Sequence, residues 1–381
     1  MSGAAVLSAL SPDERGFLDG IGFDGEAFAR LVDTWLAGAL PGNRVAGQVT
    51  APDPSSLHGL VPPGSWQGDA IVDAGRQALH AGRVALVLLN GGMATRFGGR
   101  VKGVVDALPG RSFLALQAER IRRLREQTGQ ALPLVLMNSF ATDRATRAHL
   151  EDNDWFGLPP QDVITFVQSG QPRVTATGEL YRDAAGHASI YGPGHGDLLP
   201  SLRRSGVLSA LRDRGIDSIL MANVDNLGAG LDAALLGHFL ASGRSMMVEV
   251  APKQPGDVGG APAAVDGAVR IVEGFAFPDG FDHDSIPVFN TNTLWFQTAA
   301  LDREFPLRWY VVDKEDDGNP VVQFERLVGQ VSWFLPTEYV RVSRARFLPV
   351  KVPEDLDAIR PALRALFGVQ LRGRYGLSSR R

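Results

Sequence analysis

One stretch restricts the fold of this chain more than any other. Val84 to Leu89 is an unbroken apolar run, Val-Ala-Leu-Val-Leu-Leu. A run that short, partly β-branched and closed by glycines, predicts a strand covered on both faces, which is the environment of a parallel sheet. The chain then turns through Asn90-Gly91-Gly92-Met93-Ala94-Thr95-Arg96-Phe97-Gly98-Gly99 and reaches Lys102. Glycines allow positive φ and let a ligand approach the backbone closely. Backbone N–H groups exposed by such a loop form an anion-binding concavity, and Arg96 and Lys102 add fixed positive charge. The pattern is neither GxxxxGK[ST] nor GxGxxG, so two common phosphate loops are excluded.

The flanking segments agree with a parallel sheet. Strands are predicted at Pro133–Ser139, Val163–Gln168 and Ser218–Asn223, with helices at Asp69–Gly82, Ser112–Thr128, Asp143–Asp152 and Gly206–Arg214. Strand–helix alternation predicts an α/β fold, a mixed, mostly parallel sheet with helices on both faces. Right-handed crossovers then place the loops after the strands along one edge, where such sheets bind ligands. Ser245–Ala251 reads as a further strand, and Ala268–Glu273 as part of an antiparallel insert. Phe289–Trp295 reads as a short loop into a strand, Gln323–Phe334 as a helix, and Glu354–Leu366 as a terminal helix. Ser11-Pro12-Asp13-Glu14 is an N-cap signal, so residues 11–40 form a helical layer. We divide the chain into an N-terminal helical accessory region (1–75), a catalytic domain (76–360) and a helix end with a basic tail (361–381).

Net charge is −4 over 381 residues, so no overall basic field argues for nucleic acid or a membrane surface. Zero cysteines exclude disulfides, thiolate ligands and a Cys nucleophile. No apolar run is long enough to span a bilayer, and the N-terminus lacks the basic region and apolar core of a signal peptide, so the cytoplasm is the expected compartment.

Asn223-Val224-Asp225-Asn226-Leu227-Gly228-Ala229 follows a strand. A carboxylate there is a hard oxygen ligand suited to Mg²⁺, which keeps several waters and bridges phosphates. Pro193-Gly194-His195-Gly196-Asp197 sets an imidazole among glycines, where it can reach a phosphate or a hydroxyl. Gln168 ends the strand at Val163, and a carboxamide offers one donor and one acceptor edge. Glu249-Val250-Ala251-Pro252-Lys253 with Gly259-Gly260, Phe289-Asn290-Thr291-Asn292-Thr293-Leu294-Trp295, Lys314, and Arg346-Phe347-Leu348-Pro349-Val350-Lys351 complete the set.

Taken in order, these motifs resemble those of the eukaryotic-type UDP-glucose pyrophosphorylases (UTP–glucose-1-phosphate uridylyltransferases) from about Leu88 to Asp357. Ala94 and Val101 stand where that family usually has Gly and Pro. The resemblance implies a Rossmann-like sugar-nucleotidyltransferase sheet of the GT-A-like kind. It implies UTP on Leu89, Asn90, Gly91, Gly92, Thr95, Gln168 and Gly194, with Gln168 on the uracil edge. His195, Asn223, Glu249, Gly259, Gly260, Asn290, Asn292 and Lys314 would hold the hexose 1-phosphate. Lys102, Arg96 and Lys351 would serve catalysis, and Asp225 would carry Mg²⁺. The expected partners are small molecules, UTP and a hexose 1-phosphate, and the expected state is a monomer or small homo-oligomer. Two alternatives stay open: a pyrophosphorylase for UDP-N-acetylhexosamine or another UDP-sugar, and a non-catalytic nucleotide-sugar binding protein.

Overall fold

The computed structural model describes residues 2–94, 99–254, 257 and 259–368. Its centre is an eight-stranded sheet. In chain order the strands are β1 (His58–Gly59), β2 (Val84–Leu89), β3 (Leu134–Asn138), β4 (Val163–Val167), β5 (Ser218–Asn223), β6 (Met246–Pro252), β7 (Val288–Gln297) and β8 (Thr337–Arg341). They lie side by side as β1-β8-β6-β7-β5-β2-β3-β4. Every neighbouring pair is parallel except the two that β7 makes, with β5 and β6. The expected mixed, mostly parallel sheet is therefore present, and β2 is buried along its whole length.

The period of two along β2 divides the core. Ala85, Val87 and Leu89 pack on one face, Val84, Leu86 and Leu88 on the other. The layer over the second face includes helices Trp66–His80, Phe113–Thr128, Ala233–Ser242 and Pro353–Phe367. Residues 75 and 360, where the sequence placed its divisions, fall inside the first and last of these helices. Helix Ala233–Ser242 was absent from the sequence expectation. Its residues, AALLGHFLAS, lack a polar face, so no amphipathic period marks it. It crosses Trp66–His80 with the two backbones almost touching. A Cβ on Gly75 would lie 1.9 Å from the Ala233 carbonyl oxygen, and one on Gly237 1.8 Å from that of Ile71.

At the N-terminus, Ser11 and Glu14 form the expected capping box, with Pro12 opening helix Pro12–Gly20. Helix Gly25–Leu36 then lays Phe28, Leu31 and Val32 on Val174, Val322 and Phe324. The strands Ala261–Val265 and Ala268–Val272 pair antiparallel, as expected of the insert. Residues 323–334 are not a helix. Asn319–Glu325 is a strand hairpinned to Tyr310–Asp316, and a 3₁₀ segment, Val328–Trp333, follows. The spacing of Phe324, Leu327, Val328 and Val331 mimics a helical stripe, but it serves two different elements. No helix among the described residues is long and apolar enough to cross a membrane.

Gly237→Ala forces the two crossing helices apart. Overpacking of this kind costs about 1–3 kcal/mol, so the melting temperature followed by circular dichroism should fall by several degrees. An unchanged melting temperature would mean that the helices do not meet there.

Candidate active site

β2 and β5 are parallel neighbours in register, Leu89 opposite Asn223. Their following loops therefore emerge side by side. The loop after β2 is anchored at its root. The Asn90 amide donates to Asn138 Oδ1 at 2.8 Å and to Thr146 Oγ1 at 2.9 Å, and Asn90 is 1% exposed. The Asn90 side chain is thus a buried tether for the loop. Gly103 seats the loop's far end, since a Cβ there would lie 2.3 Å from Asn90 Oδ1.

Gln168, immediately after β4, lies between two glycines. A Cβ on Gly192 would sit 2.2 Å from its Nε2, and one on Gly91 3.0 Å away. Gly194 has φ +81° and presses on the Arg326 carbonyl. Asp197 joins these parts. It accepts from the Ser169 N–H at 2.7 Å, from Ser201 Oγ at 2.7 Å and from Arg326 Nη2 at 3.0 Å. Asp197 occupies the N-cap position before Leu198–Arg204 but makes no capping bond, and instead ties the His195 loop to the end of β4. His195 Nδ1 accepts the Val328 N–H at 3.0 Å, and burial pushes its pKa down to about 4. The ring is therefore neutral at pH 7, and this bond assigns the remaining proton to Nε2.

Lys102 and Asp225 form an ion pair across the two loops, their side chains 20% and 14% exposed. Around them is a cleft of about 370 Å³ lined by Leu89, Gly91, Gly92, Lys102, Gln168, Gly194, His195, Asn223 and Asp225, together with Met137, Gly192 and Val224. The structure thus brings together residues from four strand ends and the glycine-rich His195 loop. From Asn223 a polar chain leads outward. Asn292 Nδ2 donates to Asn223 Oδ1 at 3.1 Å, the Asn292 N–H to Asn290 Oδ1 at 2.9 Å, and the Asn290 N–H to the Gly260 carbonyl at 2.8 Å. This geometry needs a bulge in β7. The register shifts opposite Glu249 and Val250, and Asn292 takes φ +54°. A non-glycine residue held at positive φ is costly and clusters at functional sites. The sequence had read this stretch as a loop before the strand; it is a bulge inside it.

Other expected residues lie elsewhere. Glu249 is fully buried, with its carboxylate gripped by Arg346 at 2.6 and 2.8 Å and by Trp295 Nε1 at 2.9 Å. It holds the 344–348 segment and has no face on the cleft. Lys314 is exposed on the Tyr310–Glu325 hairpin, and Lys351 is exposed just before helix Pro353–Phe367; neither lines the cleft. Gly259 is exposed, whereas Gly260 is buried. Thr95 and Arg96 lie outside the described residues. One group went unnoticed in the sequence. Glu273 ends strand Ala268–Val272, and its Oε2 lies 3.0 Å from where a Cβ of Gly260 would be. Burial pushes its pKa up to about 7. Nothing in the sequence distinguishes this glutamate, because its burial arises from Gly260, Gly329 and Tyr310, which are distant along the chain.

A family model described as UTP–glucose-1-phosphate uridylyltransferase matches residues 67–370. A UTP–glucose-1-phosphate uridylyltransferase of Musa acuminata is 34% identical over 297 residues, 74% of this chain and 63% of that protein. One from Solanum tuberosum is 34% identical over 300 residues, again 74% of this chain and 62% of that protein. The chain thus spans less than two thirds of the length of these curated relatives. Among solved structures, a UDP-glucose phosphorylase of Trypanosoma brucei superposes with TM-score 0.75 at 25% identity, covering 94% of this chain and 78% of that one. A uridine diphosphate N-acetylglucosamine pyrophosphorylase of the same organism gives TM-score 0.77 at 21% identity, with 97% and 85% covered; that likeness is one of fold.

Glu273 makes the site's stability depend on pH. Its folded pKa, about 7, lies above the ordinary carboxyl value of 4.5, so its neutral form favours the fold. That contribution is complete below pH 4.5 and is lost as pH rises through 7. Glu273→Gln removes the dependence. The variant should gain stability over wild type between pH 5 and 8, by on the order of 3 kcal/mol at most. Parallel melting curves for the two proteins across that range would contradict this.

Proposed function

We propose that this chain, a member of the UTP–glucose-1-phosphate uridylyltransferase family, joins UTP to glucose 1-phosphate and releases pyrophosphate. The observation that supports it most is the Lys102–Asp225 pair in one cleft with Gln168 and His195. The Gln168 carboxamide matches the N3–H and O4 edge of uracil and lines the cleft. The glycine loop after β2 offers N–H groups to the phosphates. Neutral His195 offers one Nε2–H donor to an anionic or hydroxyl oxygen without changing the charge of the cleft. Asn223, Asn292 and Asn290 carry both donors and acceptors, which is what a ring of sugar hydroxyls requires.

In this reading the sugar phosphate oxygen attacks the α-phosphorus while pyrophosphate leaves. One P–O bond forms and one breaks, and no enzyme nucleophile is used. The chain contributes positioning and charge neutralisation. Lys102 has a carboxylate partner in the structure; a triphosphate offers it a more highly charged one. Asp225 would then be free to act as an oxygen ligand for Mg²⁺, a hard cation suited to a carboxylate. Among the described residues no three His, Asp or Glu side chains converge as a metal cage. When bound, Mg²⁺ offsets charge on the phosphates.

Pyrophosphate release from UTP and glucose 1-phosphate tests the proposal. Wild type should turn over, and Lys102→Ala should lose on the order of 10²-fold in kcat. Running the assay across sugar 1-phosphates, N-acetylglucosamine 1-phosphate included, identifies the preferred sugar. A chain that binds UDP-glucose but releases no pyrophosphate from any of them would be a binding protein, not a transferase.

A further inference from the structure

The turn that carries Asp225 has its carbonyl groups held from outside. Helix Phe113–Thr128 presents Gln117 and Arg120 on one face, three residues apart. Gln117 Nε2 lies 3.5 Å from the Val224 carbonyl oxygen. The two terminal nitrogens of Arg120 donate to the carbonyls of Leu227 and Ala229. Arg346, from the other side, donates to the Gly230 carbonyl at 3.0 Å while Glu249 grips its guanidinium. Asn226 completes the frame by accepting from the Leu348 N–H at 2.9 Å. The carbonyls on both sides of Asp225 are therefore fixed to elements far away in sequence.

Arg120 differs from its neighbours in this frame. Arg346 has Glu249 as counter-ion, but among the described residues no carboxylate pairs with Arg120. Its partners are two carbonyl dipoles and the face of Phe367, 4.9 Å from the guanidinium carbon. Gly230 leaves the space it needs, since a Cβ there would lie 2.8 Å from Arg120 Nη1. A partly buried cation without a counter-ion is retained at a cost in solvation. The planar fork spans two carbonyls at once in a fixed geometry that a lysine ammonium does not reproduce.

We propose that Arg120, assisted by Gln117, is a positioning residue that holds the Val224–Gly230 turn so that the Asp225 carboxylate faces Lys102 and the phosphates. The proposal rests on the uridylyl-transfer reading. Arg120 lines no part of the cleft. Its effect should therefore appear in turnover and not in nucleotide affinity, because Gln168 and the glycine loop are framed by other contacts.

The test uses the full chain with Arg120→Met, Arg120→Lys and the milder Gln117→Leu. Pyrophosphate release gives kcat and KM, and hydrogen–deuterium exchange is read on peptides covering 224–230. For Arg120→Met, kcat should fall on the order of 10- to 100-fold, the scale of misplacing a reacting group by about 1 Å. KM for UTP should stay within about twofold. Exchange should rise in 224–230 and not in the 90–103 or 168–171 segments. Arg120→Lys should not restore kcat, and Gln117→Leu should show the same pattern more weakly. If Arg120→Met does not fold, the other two variants decide. Unchanged kcat in folded variants, or a loss carried by KM for UTP, overturns the proposal. If wild type itself releases no pyrophosphate, the transfer reading fails, while the exchange data still report whether Arg120 holds the turn.

Discussion

Everything at the cleft follows from the pairing of β2 with β5. Because the strands are parallel and in register, Leu89 and Asn223 finish level, and the loops beyond them leave the sheet together. Lys102 and Asp225 come from those loops and close on each other. An isolated charge of either sign in so enclosed a position would be costly to desolvate; as a pair they offset one another. With Asp225 as its partner, Lys102 adds no net charge to the cleft.

Around this pair the protein uses backbone and buried polar ties in preference to free side chains. Asp197 binds a helix serine, a loop N–H and Arg326 at once, so the His195 loop cannot shift without the end of β4 moving too. Arg346 and Arg120 do the same for the turn after β5, and the bulge in β7 carries Asn290 and Asn292 to Asn223. The strain at Asn292 persists because the strand pairs on both sides of the bulge.

How much of this was legible in the sequence varied with the kind of constraint. The strand-loop signals at Val84–Lys102 and Ser218–Asp225 were readable because glycine chemistry and apolar runs are local. Gln168, His195 and Asp225 fall in the cleft where the motifs put them. Glu249 and Asn90 are buried ties instead, because the side of a strand or loop that a polar residue faces is set by the sheet's packing. Lys314 and Lys351, carried over from the family resemblance, stand on exposed segments beyond the cleft lining. Helix Ala233–Ser242 was missed because a fully covered helix carries no polar stripe, and the Asn319–Glu325 strand was hidden by an accidental helical spacing across its end.

The enclosure of Gln168 by Gly91 and Gly192 has a consequence for anyone wishing to redirect the base preference of this scaffold. Neither glycine can acquire a side chain without displacing the amide, and Gln168 cannot be exchanged for a bulkier residue without displacing a glycine. The three positions are coupled, so a side chain added at either glycine has to move the Gln168 amide. Libraries that vary the entire Gly192–His195 loop together with position 168 offer a route that stepwise mutagenesis does not.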